Sequence, residues 1–124
     1  MRKSILIIED EADMRDAIAT ALSKADFHVI TAENGEAGYQ TAIDHEPDLI
    51  LLDLMMPVMN GQETLAKLRN HPWGHDAKVV ILTAMDDVMN VGTAYEQGIS
   101  GYITKSTVSL AEIVNQVRKI IHTD

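Results

Sequence analysis

Cysteine is absent from all 124 residues, so neither disulfides nor thiolate metal sites can hold this chain together. None is needed, since a domain of this length buries about two-thirds of its unfolded surface. Long hydrophobic runs are missing as well, and nothing approaches the roughly 18 apolar residues of a membrane span. Positive charge is scarce: 10 Lys and Arg stand against 19 Asp and Glu, giving a net charge of -9. With no basic cluster along any element, a nucleic-acid backbone would be repelled, which argues against direct binding by this chain alone. The opening Met1-Arg2-Lys3 is followed by only the four strongly apolar residues Ile5 to Ile8 before Glu9. A secretory core needs about 7 to 15, so the expectation is a cytoplasmic protein. No Pro/Gly/Ser-rich linker or low-complexity tract interrupts the chain, and a single domain over 1–124 is expected.

What is present is an alternation. Five short apolar runs, read as strands at 4–9, 28–32, 49–53, 79–84 and 101–104, are separated by segments of helical period. This is the pattern of βαβ units around a parallel sheet covered on both faces. The first helix carries Met14, Ile18, Leu22 and Ala25 on one stripe. The second opens at Asn34-Gly35 with Asn34 as N-cap and stops before Pro47. The third runs from near Gly61 to Asn70 with Leu65 and Leu68 inward, ended by His71-Pro72-Trp73-Gly74. A fourth, after Asp86-Asp87, has the weak stripe Val88, Val91, Ala94 and Tyr95 with Gly92 inside it, and is expected to be the most mobile. The fifth is the strongest, with Leu110, Ile113, Val114, Val117 and Ile121 on one face and Ser109 as N-cap.

Polar residues sit where the apolar runs stop: Glu9 and Asp10, Asp53, Thr83 and Lys105. In a parallel sheet all five gather at the carboxyl edge, where ligands of open α/β sheets bind. Strand alternation sends Glu9 and Asp10 in different directions, so at most one aims straight at the neighbouring strand. Converging carboxylates repel one another unless a cation neutralises them, and oxygen-only ligation suits magnesium or manganese. Beside a phosphorylated carboxylate the Thr83 hydroxyl can donate to a phosphoryl oxygen, and Lys105 is a point charge for either group.

These residues resemble the receiver domain of two-component response regulators, over essentially Lys3 to Ile121. The motifs are Glu9-Asp10 after the first strand, Asp53 after the third with Pro57 and Gly61 in the following loop, Thr83-Ala84 after the fourth, and Tyr102 with Lys105 at the fifth. The resemblance implies a flavodoxin-like, doubly wound five-stranded sheet in the order 2-1-3-4-5 with helices on both faces. It implies that Asp53 is the phosphoacceptor for a phosphohistidine on a sensor histidine kinase or histidine phosphotransfer protein. Asp10, Asp53 and the backbone carbonyl of Met55 would ligate Mg2+ or Mn2+, with Glu9 acting directly or through water. Thr83 and Lys105 would hold the phosphoryl oxygens. Thr83 and Tyr102 would switch the face of helix 4, strand 5 and helix 5 toward a downstream protein effector, as a monomer or a phosphorylation-dependent dimer. Such a protein is a phosphoacceptor switch rather than a multiple-turnover enzyme.

Two departures and several rivals bear on that reading. The family usually places proline after its lysine in a cis peptide; here Ser106 follows, and a cis bond before a non-proline residue costs roughly 2.5 to 4 kcal/mol, so a trans bond is expected. Met55 and Met85, two residues past Asp53 and Thr83, neither orient nor polarise water, so a long-lived aspartyl phosphate is expected. His71 and His75 are spaced by four, but Pro72 and Gly74 break any helix that would align them as ligands. Trp73 is expected to be a loop anchor at the edge of the core. An aspartyl-phosphate hydrolase would want a second acid at the position of Met55, and a flavodoxin-like nucleotide carrier would be repelled by Glu9-Asp10-Glu11. A phosphate-independent scaffold remains the alternative within the same family resemblance.

Overall fold

Ile5 to Ile8 and Leu49 to Leu52 are all fully shielded from solvent, which is why these runs show no polar alternation: both faces of the strands they form are covered. The computed structural model describes residues 2–56, 58–83, 96, 98–105 and 108–122, with only the backbone of Thr83. Pro57, Met85, the fourth predicted helix and the Lys105–Ser106 peptide lie outside the described residues. Within them the chain runs β1 (Ser4–Ile8), α1 (Ala12–Lys24), β2 (His28–Ala32), α2 (Gly35–His45), β3 (Leu49–Asp53), α3 (Gly61–Arg69), a short 3-10 turn (Gly74–Asp76), β4 (Val79–Thr83), β5 (Gly101–Thr104) and α4 (Leu110–Ile121). This α4 is the fifth helix of the sequence reading.

The five strands are parallel and lie in the order β2-β1-β3-β4-β5, as expected. Alternation divides the core in two. Leu6, Ile8, Ile50, Leu52, Val79 and Ile81 face Ala42 of α2 and Leu65 and Leu68 of α3. Ile5, Ile7, Leu49, Leu51, Val80, Leu82 and Ile103 face Ile18 and Leu22 of α1 and Ile113, Val114, Val117 and Ile121 of α4. Burying each such side chain contributes on the order of 1.5 to 3 kcal/mol.

The helix starts follow side-chain chemistry. Asn34 accepts from the Ala37 N–H, Ser109 from the Glu112 N–H, and Asn60 forms a capping box with Glu63. The last was not anticipated from the sequence. Leu110 was expected on the inner stripe of the final helix but is 40% exposed. It is the first residue of the helix, and the helical period alone does not fix how deeply each position on a face is buried. Trp73 packs against the α2/α3 side of the core, as a loop anchor should. Among the described residues no helix is long and apolar enough to cross a membrane.

Candidate phosphoryl and metal site

The sheet fixes the backbone of the site before any side chain contributes. The Asp53 Cα pairs with that of Leu82 in β4, and the ladder continues one step past the strand ends, with Glu9 N–H donating to the Ala32 carbonyl at 3.1 Å and Leu54 N–H to the Leu82 carbonyl at 3.3 Å. Arg15, one turn into α1, donates to the Glu9 carbonyl at 2.9 Å. Beyond Asp53, Gly61 returns the chain, its N–H donating to the Leu54 carbonyl at 3.0 Å. Asp53 is therefore held by a central strand below and the start of α3 beside it.

Within this frame the predicted acids meet. Glu9, Asp10 and Asp53 each offer a carboxylate oxygen, and these oxygens lie within 4.8 Å of one another; among the described residues this is the one such group of three. Glu9 is completely buried and Asp53 nearly so, while Asp10 is half-buried. Lys105, just past β5, joins them: its ammonium donates to Glu9 Oε1 at 2.9 Å and Asp53 Oδ2 at 3.1 Å, with Glu11 Oε1 at 3.5 Å. The other Asp53 oxygen, Oδ1, accepts from the Met55 N–H at 3.0 Å. The Met55 side chain points away and is 62% exposed. Thr83 ends β4 on the same edge, and Tyr102 lies within β5, half exposed at 47%. The position of the Thr83 hydroxyl lies outside what is described.

Electrostatics follow from burial. Glu9 is pushed up to about 7, first by burial and further by the charge of Asp53, with the Lys105 hydrogen bond opposing. Asp53 is raised by burial against the Met55 N–H and Lys105. Burial pulls Lys105 down, but its bonds to Glu9 and Asp53 outweigh that and hold it above its ordinary value. One buried oxygen, Glu9 Oε2, has no hydrogen-bond partner. An orphaned buried carboxylate oxygen beside two more carboxylates is what a hard divalent cation would satisfy, so the residues fit magnesium or manganese.

Three contributors escaped the sequence reading: Arg15, whose i+6 reach to Glu9 has no sequence signature; Glu11, read only as a repulsive charge; and the Asn60-x-x-Glu63 box, which was legible as a capping motif. The histidine pair does not assemble. His71 Nδ1 accepts from the Trp73 N–H at 3.1 Å, while His75 is exposed beside Asp76.

Comparison with known proteins places the chain among its relatives. The family model described as the response regulator receiver domain matches residues 5–118. The chain is 36% identical over 119 residues to the phosphate regulon transcriptional regulatory protein PhoB of Pseudomonas aeruginosa, covering 96% of this chain and 52% of that protein. It is 33% identical over 121 residues to the transcriptional regulatory protein SrrA of Staphylococcus aureus, covering 98% and 48%. The chain thus spans about half the length of the curated relatives it matches. Among solved structures, the Mn(2+)-bound form of response regulator Rcp1 superposes with a TM-score of 0.83 at 28% identity, covering 98% of this chain and 96% of that one. The chemotaxis protein CheY4 of Vibrio cholerae gives 0.89 at 21% identity over 97% and 99%, a likeness of fold.

Proposed function

Because the chain belongs to the response regulator receiver domain family of two-component systems, we propose that it accepts a phosphoryl group on Asp53 from a phosphohistidine of a sensor histidine kinase or histidine phosphotransfer protein. The observation that carries this is the seating of Asp53: one oxygen is fixed by the Met55 N–H, the other lies on the Lys105 ammonium, and two further carboxylates stand within 4.8 Å.

In the proposed step an Asp53 oxygen attacks phosphorus as the phosphorus–nitrogen bond to the donor imidazole breaks. The electron pair leaves with the imidazole nitrogen, and the product is an acyl phosphate on Asp53. Since phosphoryl transfer is mostly positioning and charge stabilisation, the chain's work is to hold the nucleophile and surround the transferred oxygens with donors. β3 and the Met55 N–H orient the carboxylate, and burial excludes water. Lys105 turns from Asp53 Oδ2 to a phosphoryl oxygen, and the Thr83 hydroxyl donates to another. Glu9, Asp10, Asp53 and the Met55 carbonyl would hold a divalent cation, Mg2+ or Mn2+, which when bound would supply positive charge for the acids and the incoming phosphoryl oxygens. Phosphorylation then biases a two-state surface in which Tyr102 turns inward, presenting the β5/α4 side to a protein effector or a second copy. The Met55 side chain, turned outward and apolar, leaves attacking water unassisted, which supports a long-lived phosphate. A cytoplasmic setting follows from such a partner.

Intact mass after incubation with acetyl phosphate, with and without Mg2+, tests the reading. A single Mg2+-dependent phosphate adduct that vanishes in Asp53→Asn is expected. No adduct in a folded sample overturns the small-donor chemistry and leaves a receiver phosphorylated only by its kinase or a phosphate-independent scaffold.

A further inference from the structure

Glu11 stands at the N-cap of α1 with extended backbone, yet its side chain makes no capping bond. The caps of α2, α3 and α4 are Asn34, Asn60 and Ser109, and each accepts a backbone N–H. Asp, Asn, Ser and Thr suit this position because their short side chains reach the third N–H; glutamate is one methylene too long. Among the described residues, the start of α1 departs from the rule the other three α-helix starts obey, and it does so at the edge of the acidic site. Departures of this kind are expected at functional or strained sites.

The Glu11 side chain turns to Lys105 instead. Its Oε1 lies 3.5 Å from the ammonium, and its own N–H donates at 3.3 Å to Glu9 Oε1, the same oxygen that accepts from Lys105. Lys105 in turn sits on Glu9 Oε1 and Asp53 Oδ2, two of the three acids that would hold a divalent cation. The ammonium therefore rests on two of the carboxylates that would hold the cation, and a cation bound there repels the ammonium. Among the described residues Glu11 is the other acid bonded to Lys105.

We propose that Glu11 is a positioning residue, the seat that receives the Lys105 ammonium when a divalent cation occupies Glu9, Asp10 and Asp53. The inference rests on the metal reading above and adds the residue that clears the lysine from the site. Without that seat, Lys105 stays on the metal's carboxylates and binding weakens.

The test is a Mn2+ titration followed by electron paramagnetic resonance on the whole chain, its Glu11→Gln and Glu11→Asp variants, and the same changes in a Lys105→Met background, with thermal midpoints taken on the same samples. Glu11 is largely exposed, so the expected weakening is about two- to five-fold, the scale of a solvent-screened ion pair. Both variants should show it, because aspartate keeps the charge but loses the reach. The effect should shrink in the Lys105→Met background, whereas a purely structural role would move only the midpoint. Parent-like affinity in Glu11→Gln, full affinity in Glu11→Asp, or an equal loss in both backgrounds would overturn the proposal. Failure of the parent chain to bind Mn2+ at all would refute the metal reading itself, and would be seen before any variant is made.

Discussion

The α-carbon of Gly61 lies against the main chain of Asp53: a β-carbon there would sit 2.4 Å from the Asp53 carbonyl oxygen and 2.5 Å from the Leu54 α-carbon. Both neighbours are backbone and cannot rotate away, so a side chain at residue 61 has to displace the segment that carries the proposed phosphoacceptor.

Gly61→Ala is accordingly expected to cost about 1 to 3 kcal/mol, the range for overpacking a tight contact. It should also slow formation of the Asp53 adduct, because the carboxylate moves with its backbone. Urea unfolding and adduct formation from acetyl phosphate measure the two effects separately. A variant with parent stability and parent rate would show that the loop gives way freely and that Asp53 is not held by this contact.

Lys105→Met should have opposite effects on two steps. Removing an ammonium that occupies Glu9 Oε1 and Asp53 Oδ2 frees those oxygens, so Mn2+ or Mg2+ should bind more tightly. Transfer to Asp53 should slow by one or more orders of magnitude, because a charge aimed at the transferred oxygens is lost. Calorimetric metal titration and adduct kinetics decide the matter. Weaker metal binding in this variant would mean that Lys105 assists the cation rather than competing with it.

Stability should fall as pH rises through the range set by Glu9. Its carboxyl moves from an ordinary 4.5 to about 7 on folding, burial being the main cause. Between those values the folded chain keeps a proton that the unfolded chain has released, so raising the pH favours unfolding, by on the order of 3 kcal/mol in total. Asp53, raised for the same reason, acts in the same direction. Lys105, raised above 10.5, contributes stability that is complete below that pH and fades only beyond it. Excess Mg2+ should flatten the slope, since a bound cation favours the ionised carboxylate. Urea midpoints across pH 4.5 to 7, without metal and then with it, check the sign; a midpoint that rises with pH in metal-free buffer would contradict the burial argument.

How far the sequence could be read depended on which physical rule governed each residue. β3 was legible because Leu49 to Leu52 form a short, unbroken apolar run between turn signals, as suits a central parallel strand covered on both faces, and all five residues to Asp53 are buried. Asn34 and Ser109 were legible because capping is a local interaction. The pairing of Glu9 with Lys105, 96 residues apart, was legible only as shared membership of one sheet edge. Alternation showed that Glu9 and Asp10 diverge, but not that Glu9 is the one driven into full burial. Leu110 misled because a period assigns a face without saying where along the helix that face meets the sheet. Arg15 and Glu11 act through long side chains whose targets are fixed only after α1 and β5 have docked.

Val58 breaks a rule that no periodicity could expose. It adopts φ 71, the left-handed region, where a β-branched residue is an outlier and an L side chain costs roughly 1 to 2 kcal/mol. Its side chain is 78% exposed, so packing within the chain returns little of that cost. Val58→Gly should therefore stabilise the protein, by about 0.5 to 1 kcal/mol after subtracting the extra freedom glycine gives the unfolded chain. Val58→Ala, which keeps a β-carbon in the same backbone conformation, should gain less. Urea midpoints at an unchanged slope read the difference directly. If glycine instead lowered stability, the loop after Asp53 would be relaxed with valine in place, and strain could not be part of how this segment is poised.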